Sequence, residues 1–283
     1  MRTLVTGASG YIGRSLVSAL ERRGLPVIAV RRADADLRDP IAARVLIDAH
    51  RPEVVVHAAW EATPGIYWTS PDNAAWAAGT VALAEAARAA GARRFVGVGS
   101  CAEYDWSTGD CDEYVTAEAP TTPYGQAKLL AAHSVLSRST DTFAVAWARV
   151  FFLFGGHEHP ARLVPSVAQA ILDDRDALCT HGEQLRDFLH VDEVGDAIAA
   201  LVVSPVTGVV NIASGEAHRV REVIEGLASR LGGRDRVRLG ARATTEPARL
   251  VTRAARLRDD VGWAPTWTFD QRLDHVAEEW TSR

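Results

Sequence analysis

Tyr124-Gly125-Gln126-Ala127-Lys128 sets a phenol and an amine four residues apart, so both project from one face if the segment is helical. A phenol exchanges protons poorly at its ordinary pKa of about 10, and a neighbouring ammonium is expected to bring it toward neutrality, where it serves as a general acid or base. Ser100 closes the run Val98-Gly99-Ser100, which reads as the end of a strand. A hydroxyl there sits at the sheet edge where ligands of doubly wound folds collect. Serine, tyrosine and lysine together can polarise a carbonyl and exchange a proton with its oxygen.

A second chemistry lies at the start of the chain. In Thr6-Gly7-Ala8-Ser9-Gly10-Tyr11-Ile12-Gly13, three glycines spaced G-x-x-G-x-x-G follow a short apolar run and open a helical one. That order of strand, turn and helix lets backbone N–H groups and the helix dipole meet a pyrophosphate, so a nicotinamide dinucleotide is expected. About twenty residues on, a site for NAD would present a carboxylate to the ribose. Arg31 and Arg32 stand there instead, a guanidinium pair suited to the 2′-phosphate of NADP. NADP(H) is therefore preferred, with NAD(H) the alternative.

These groups need a scaffold, and the first half of the chain supplies the pattern for one. Short β-branched runs at 3–6, 27–30, 54–58, 94–98 and 143–150 alternate with helical stretches at 13–23, 40–50, 73–90 and 124–137. The pattern is that of an α/β fold, a Rossmann-type doubly wound parallel sheet. Beyond Gly155 the spacing predicts helices over 162–173, 192–203, 220–231, 249–261 and from 270 to the end, with strands at 177–180 and 208–212. A cofactor-binding domain over 1–155, completed by 186–213, and a smaller C-terminal substrate-binding lobe from 156–185 and 214–283 are expected.

Composition narrows the partners. The 283 residues are 47% apolar and 24% charged with a net charge of -5, an ordinary globular balance without attraction for phosphate backbones or anionic lipid, so neither nucleic acid nor membrane is expected as a partner. Cys101, Cys111 and Cys179 are an odd count without metal-ligand spacing, which fits a reducing cytoplasm. Arg149 interrupts the longest apolar stretch before it reaches membrane-spanning length. His157-Glu158-His159 lies on a loop ending in proline without further ligands, and no metal is expected. Trp60, Trp68, Trp76 and Trp106 follow strand ends and could line a pocket, though core packing explains each equally well.

With T-G-A-S-G-Y-I-G at Thr6, D-L-R-D at Asp36, S-C-A-E-Y at Ser100, Y-G-Q-A-K at Tyr124, R-D-F-L-H-V at Arg186 and N-I-A-S-G-E at Asn211, the chain resembles the extended short-chain dehydrogenase/reductases, most of which act on nucleotide-linked sugars. The resemblance spans nearly the whole chain. It implies a catalytic triad of Ser100, Tyr124 and Lys128. It implies cofactor contacts from Gly7, Ser9, Gly10, Tyr11, Ile12 and Gly13, from Asp36 and Leu37 beside the adenine, from Ala58 and Ala59, and from Tyr124 and Lys128. Arg186 would meet the substrate's diphosphate, with an internal salt bridge to Asp187 or Asp192 as the alternative, and Ser100, Cys101 and Arg242 would also face substrate. Similar proteins often dimerise through the helices at 73–90 and 124–137, so a homodimer is expected.

The departures narrow the reaction. Sugar-nucleotide 4,6-dehydratases follow the catalytic hydroxyl with Asp and Glu, whereas Cys101 and Ala102 stand here, which argues against dehydration. The resemblance therefore points to an NADPH-dependent reductase of a nucleoside-diphospho-4-keto-6-deoxy sugar. A C4 epimerase that retains its cofactor, a non-catalytic dinucleotide sensor, and a reductase of small aldehydes or ketones are the competing readings.

Overall fold

The structure, a computed structural model, describes residues 1–282. In its first half β1 (Thr3–Thr6), α1 (Tyr11–Arg22), β2 (Val27–Val30), α2 (Pro40–His50), β3 (Val54–His57), α3 (Asn73–Ala89), β4 (Arg94–Ser100), α4 (Pro123–Leu136) and β5 (Ala144–Val150) alternate strand and helix. The apolar runs become parallel strands because both faces are covered by helices, and β1 and β3 are buried along their whole length. Local signals set the helix starts: Asp39 accepts from the Ile41 N–H and precedes Pro40, and Thr122 accepts from the Gly125 N–H and precedes Pro123.

The second half adds β6 (Phe152–Phe154), α5 (Leu163–Leu172), β7 (Ala177–Leu178), β8 (Leu185–Arg186), β9 (Phe188–His190), α6 (Val191–Val203), β10 (Gly208–Ile212), β11 (His218–Arg219), α7 (Val220–Arg230), β12 (Val237–Arg238), β13 (Arg249–Leu250), α8 (Ala255–Asp259) and α9 (Phe269–Thr281). The main sheet has the order β10-β5-β4-β3-β1-β2 and every pairing in it is parallel. Helices α1 and α6 pack together, as do α2, α3 and α4 in sequence. The strand order reverses between β1 and β3, and ligands of open parallel sheets bind outside the carboxyl ends of the strands at that crevice. The glycine turn leaves from β1 at this point.

A separate apolar cluster is formed by α5, α7 and α9 with Phe154, Ala177 and Phe188. The buried Arg272 on α9 donates to Glu193 on α6 at 2.6 Å, and Glu193 also accepts from the Thr266 and Trp267 N–H groups, which ties the C-terminal helix to the sheet layer. Short strands β8, β11 and β13 form one small sheet, β7 with β12 another and β6 with β9 a third.

One expected element is absent. The 249–261 segment is not one helix: β13 pairs with β8, Val251 exchanges backbone hydrogen bonds with Gly109 and Cys111, and helix begins only at Ala255 after Ala254 in the left-handed region. The β-branched Val251 and Thr252 disfavour helix, and the 109–111 loop offers their backbone partners that a helix would not need. Arg249, Arg253 and Arg256 therefore do not share a helical face; Arg249 pairs with Asp110 and Arg256 with Asp260. At the far end, α9 closes at Thr281, and Arg283 lies outside the described residues. Among the described residues no helix is long and apolar enough to cross a membrane.

Candidate active site

The nucleotide turn is built on contacts that tolerate no side chain. Gly7 has φ +70°, and a Cβ there would lie 2.7 Å from the Ala59 nitrogen; a Cβ on Gly13 would lie 2.0 Å from the Gly7 carbonyl oxygen. Ala58 and Ala59 thus form the opposite wall of the turn, across the β1–β3 crevice. Gly10 heads α1 without a side-chain cap, so the first-turn N–H groups, which have no partner within the helix, remain for an anion. A cradle with no Cβ at the head of an uncapped helix suits a dinucleotide pyrophosphate. Ser9 and Gly10 are exposed on this turn, and Tyr11 and Ile12 half-buried.

At the adenosine side, Leu37 is buried, and a Cβ on Gly79 of α3 would fall 1.7 Å from its carbonyl oxygen, so Gly79 lets α3 close against the D-L-R-D loop. The Arg38 guanidinium bonds Asp36 and reaches Asp72, holding the Asp36 carboxyl down at about 2. Arg31 and Arg32 are both exposed at the end of β2. Arg32 pairs with Glu61 at 3.1 Å, and the Arg31 backbone N–H donates to Asp34.

Ser100, Tyr124 and Lys128 are brought together by β4 and α4. The Ser100 side chain adjoins the Tyr124 phenol and draws its pKa down, against the larger effect of burial. Lys128 is buried and donates to the Val98 carbonyl at 2.7 Å, with its Nζ 3.9 Å from the Trp60 ring centroid and 6.0 Å from that of Tyr124. The expected electrostatics are reversed here. Burial dominates both groups, pushing the phenol well above its ordinary value and the amine down to about 7. Lys128 is engaged with a backbone carbonyl, and burial keeps Tyr124 as the neutral phenol.

Two walls enclose this set. Over Tyr124, the rings of Trp60, Tyr67 and Trp68 stand nearly perpendicular to it, with centroids 6.1, 4.8 and 5.5 Å away, and Trp106 meets Trp68 edge-on. Trp76 lies one layer back, stacked on Trp60. The loop carrying Tyr67 and Trp68 is tied down by the Tyr124 N–H donating to the Trp68 carbonyl and by Asn73, which donates to the Tyr67 carbonyl and accepts from the Trp60 indole. Behind Ser100, Glu103 accepts from the Ser100 N–H, the Trp147 indole and Arg149, and Arg149 also pairs with Glu118. Ser100 and Glu103 form a capping box around the short helical turn 101–103. The S-x-x-E spacing was the available sequence signal for this pair.

Of the expected substrate residues, Cys101 is buried, and burial pushes its thiol far up, which leaves it unreactive. Arg186 is 2% exposed, lies 5.1 Å over the Phe152 ring and pairs with Glu246, not with Asp187 or Asp192. Asp187 instead accepts from Ser214 and Gly215. The Arg186 Nε has no partner in its buried position. Arg242 is exposed, its backbone N–H donating to the Cys179 carbonyl. Arg162, not expected from sequence, stands 5.6 Å over the Tyr67 ring, lowers the pKa of the Tyr67 phenol, and donates a long 3.4 Å bond to the Ala62 carbonyl. It heads α5 in a segment whose sequence carries no motif.

His157, Glu158 and His159 do not converge. His190, Asp192 and Glu279 do: the His190 Nδ1 accepts from the Asp192 N–H, and its Nε2 faces Glu279 at 3.6 Å, too far for a hydrogen bond.

The model of the NAD dependent epimerase/dehydratase family matches residues 3–213. A dTDP-4-dehydrorhamnose reductase of Streptomyces griseus is 31% identical over 73% of this chain and 67% of its own. A 3-diazoavenalumate denitrifying reductase of a Streptomyces species is 35% identical over 76% of this chain and 77% of its own. Among solved structures, MoeE5 in complex with UDP-glucose and NAD is 27% identical with a TM-score of 0.85, covering 100% of this chain and 99% of that one.

Proposed function

Because this chain belongs to the NAD dependent epimerase/dehydratase family, whose members are NAD(P)-dependent enzymes of the extended short-chain dehydrogenase/reductase type, we propose that it is an NADPH-dependent reductase of a nucleoside-diphospho-4-keto-6-deoxy sugar. The observation that carries this reading is Tyr124, a buried phenol beside Ser100 that burial keeps protonated. In it the 1–155 segment with 186–213 binds the cofactor, and 156–185 with 214–283 forms the substrate lobe.

The turn from Gly7 to Gly13 would hold the pyrophosphate, Ala58 and Ala59 would face it, and Asp36 and Leu37 would flank the adenine. Arg31 would receive the 2′-phosphate directly, and Arg32 on release from Glu61. The bound dinucleotide supplies hydride to the keto carbon. Tyr124 gives its proton to the carbonyl oxygen, Ser100 donates a hydrogen bond to that oxygen, and Lys128 returns a proton toward Tyr124. The buried Arg186, with its unpaired Nε, and Arg162 are the cations available to a substrate diphosphate.

The test is consumption of NADPH by the purified protein with a 4-keto-6-deoxy sugar nucleotide. No consumption, or equal activity in Tyr124→Phe, removes the reading. Replacing Arg31 and Arg32 by alanine should raise KM for NADPH and leave that for NADH unchanged.

The aromatic wall favours a second reading. Trp60, Tyr67, Trp68 and Trp106 offer a sugar few hydrogen-bond partners, and they suit an aryl carbonyl substrate equally well. NADPH oxidation with aryl aldehydes but not with keto sugars would select it.

A further inference from the structure

Glu103 is buried without solvent contact, and three donors hold its carboxylate: the Ser100 N–H at 2.8 Å, the Trp147 indole at 3.0 Å and the Arg149 Nε at 2.6 Å. The packing admits it narrowly. A Cβ on Gly99 would lie 2.5 Å from its Oε1 and 2.1 Å from the Trp147 Nε1, so only glycine at 99 lets the carboxylate reach the end of β4.

Stability alone does not account for this group. Arg149 already has a carboxylate partner in Glu118, so Glu103 adds a second buried anion around one guanidinium. A surplus buried charge is costly to desolvate, and an apolar residue of similar size would fill the volume at lower cost. Its contacts lead to the reacting groups instead. One oxygen grips the backbone of Ser100, whose Oγ accepts from the Ala102 N–H at 3.2 Å, and its charge is felt by both Tyr124 and Lys128. Both of its oxygens are engaged, so it cannot itself exchange protons with a substrate.

We infer that Glu103 is a positioning residue for carbonyl reduction: by accepting the Ser100 N–H it locks the end of β4, so that the serine hydroxyl is held beside the Tyr124 phenol. The inference rests on the reductase reading of Ser100, Tyr124 and Lys128.

The test compares Glu103→Gln, Glu103→Asp and Trp147→Phe by kcat, KM, the Kd for NADPH and a ligand-free crystal structure. Glu103→Gln should lower kcat about 10- to 100-fold with KM and Kd within about twofold. Glu103→Asp keeps the charge but shortens the reach to the Ser100 N–H, so kcat should fall as well. Trp147→Phe removes one donor and leaves the Ser100 N–H bond, so kcat should stay within about threefold.

A folded Glu103→Gln variant with kcat within twofold overturns the inference. If that variant does not fold, undiminished kcat in Glu103→Asp overturns it. If the wild-type protein reduces no carbonyl, the reductase reading fails by itself. The crystal structure of Glu103→Gln, or of Glu103→Asp where the former does not fold, then decides the positioning: displacement of Ser100 Oγ from the Tyr124 hydroxyl supports it, and an unmoved serine refutes it.

Discussion

Tyr124 stands between two walls of opposite character. Behind Ser100 the wall is ionic and directional, with the fully buried Glu103 and Arg149 and the half-buried Glu118 joined through short bonds. Over the phenol the wall is aromatic, and Trp60, Tyr67 and Trp68 meet it through ring edges and faces on a loop. Directional charged bonds fix atoms to a fraction of an ångström and fail abruptly when one partner goes. Edge-to-face contacts contribute about 0.5–1.5 kcal/mol each and tolerate sliding. The molecule thus fixes Ser100 on the ionic side and leaves the aromatic side of Tyr124 the more adjustable.

The largest effect expected on this comparison comes from the group the walls share. Tyr124→Phe removes only the hydroxyl, and steady-state assays should show kcat lower by about 10²- to 10⁴-fold with NADPH affinity unchanged. Retention of kcat within threefold would show that neither wall serves proton transfer. Next, Arg149→Leu strips the counter-charge from two carboxylates at once and should cost ~3–5 kcal/mol in urea unfolding. A loss below ~1 kcal/mol would mean that the ionic wall is no more demanding than the aromatic one.

Trp68→Ala should be milder in stability, about 1–2 kcal/mol, because its three ring contacts are individually weak. Its signature should be a several-fold change in KM with kcat held within threefold; a collapse of kcat would make the loop part of the catalytic machinery. The smallest effect is on pH dependence. Folding lowers the Lys128 amine from about 10.5 to about 7, so between those values the unfolded chain binds the proton and the folded one does not. Stability should therefore rise from pH 7 toward pH 10 through this group and be lost as pH falls back to 7. Melting scans of Lys128→Met, compared with wild type, should show that slope removed; parallel curves would place the amine in water.

The first half of the fold was legible because its signals are local. Alternating β-branched runs, Pro40 and Pro123 at helix starts, and glycines where a Cβ would strike backbone all act within a few residues, and strands β1 to β5 and helices α1 to α4 lie close to their expected ranges. The grouping of Ser100, Tyr124 and Lys128 was readable for the same reason, since each sits at a recognisable strand end or helix face. The rest depends on partners far apart in the chain. Arg249 leaves a helical pattern because Leu185 and Asp110, more than sixty residues away, offer it a strand and a carboxylate.

Residue types alone determined a glycine turn between strand and helix and the serine, tyrosine and lysine that the proposed reduction uses. Only the tertiary structure decided their electrostatics. Trp60, Tyr67 and Trp68, none adjacent to Tyr124 in sequence, pack on its ring, and Trp60 also lies against the buried Lys128 amine. Desolvation acts through the whole surrounding volume, whereas spacing along a helix reports one neighbour at a time, and so the charge state of the site followed from packing and not from the four-residue interval between Tyr124 and Lys128.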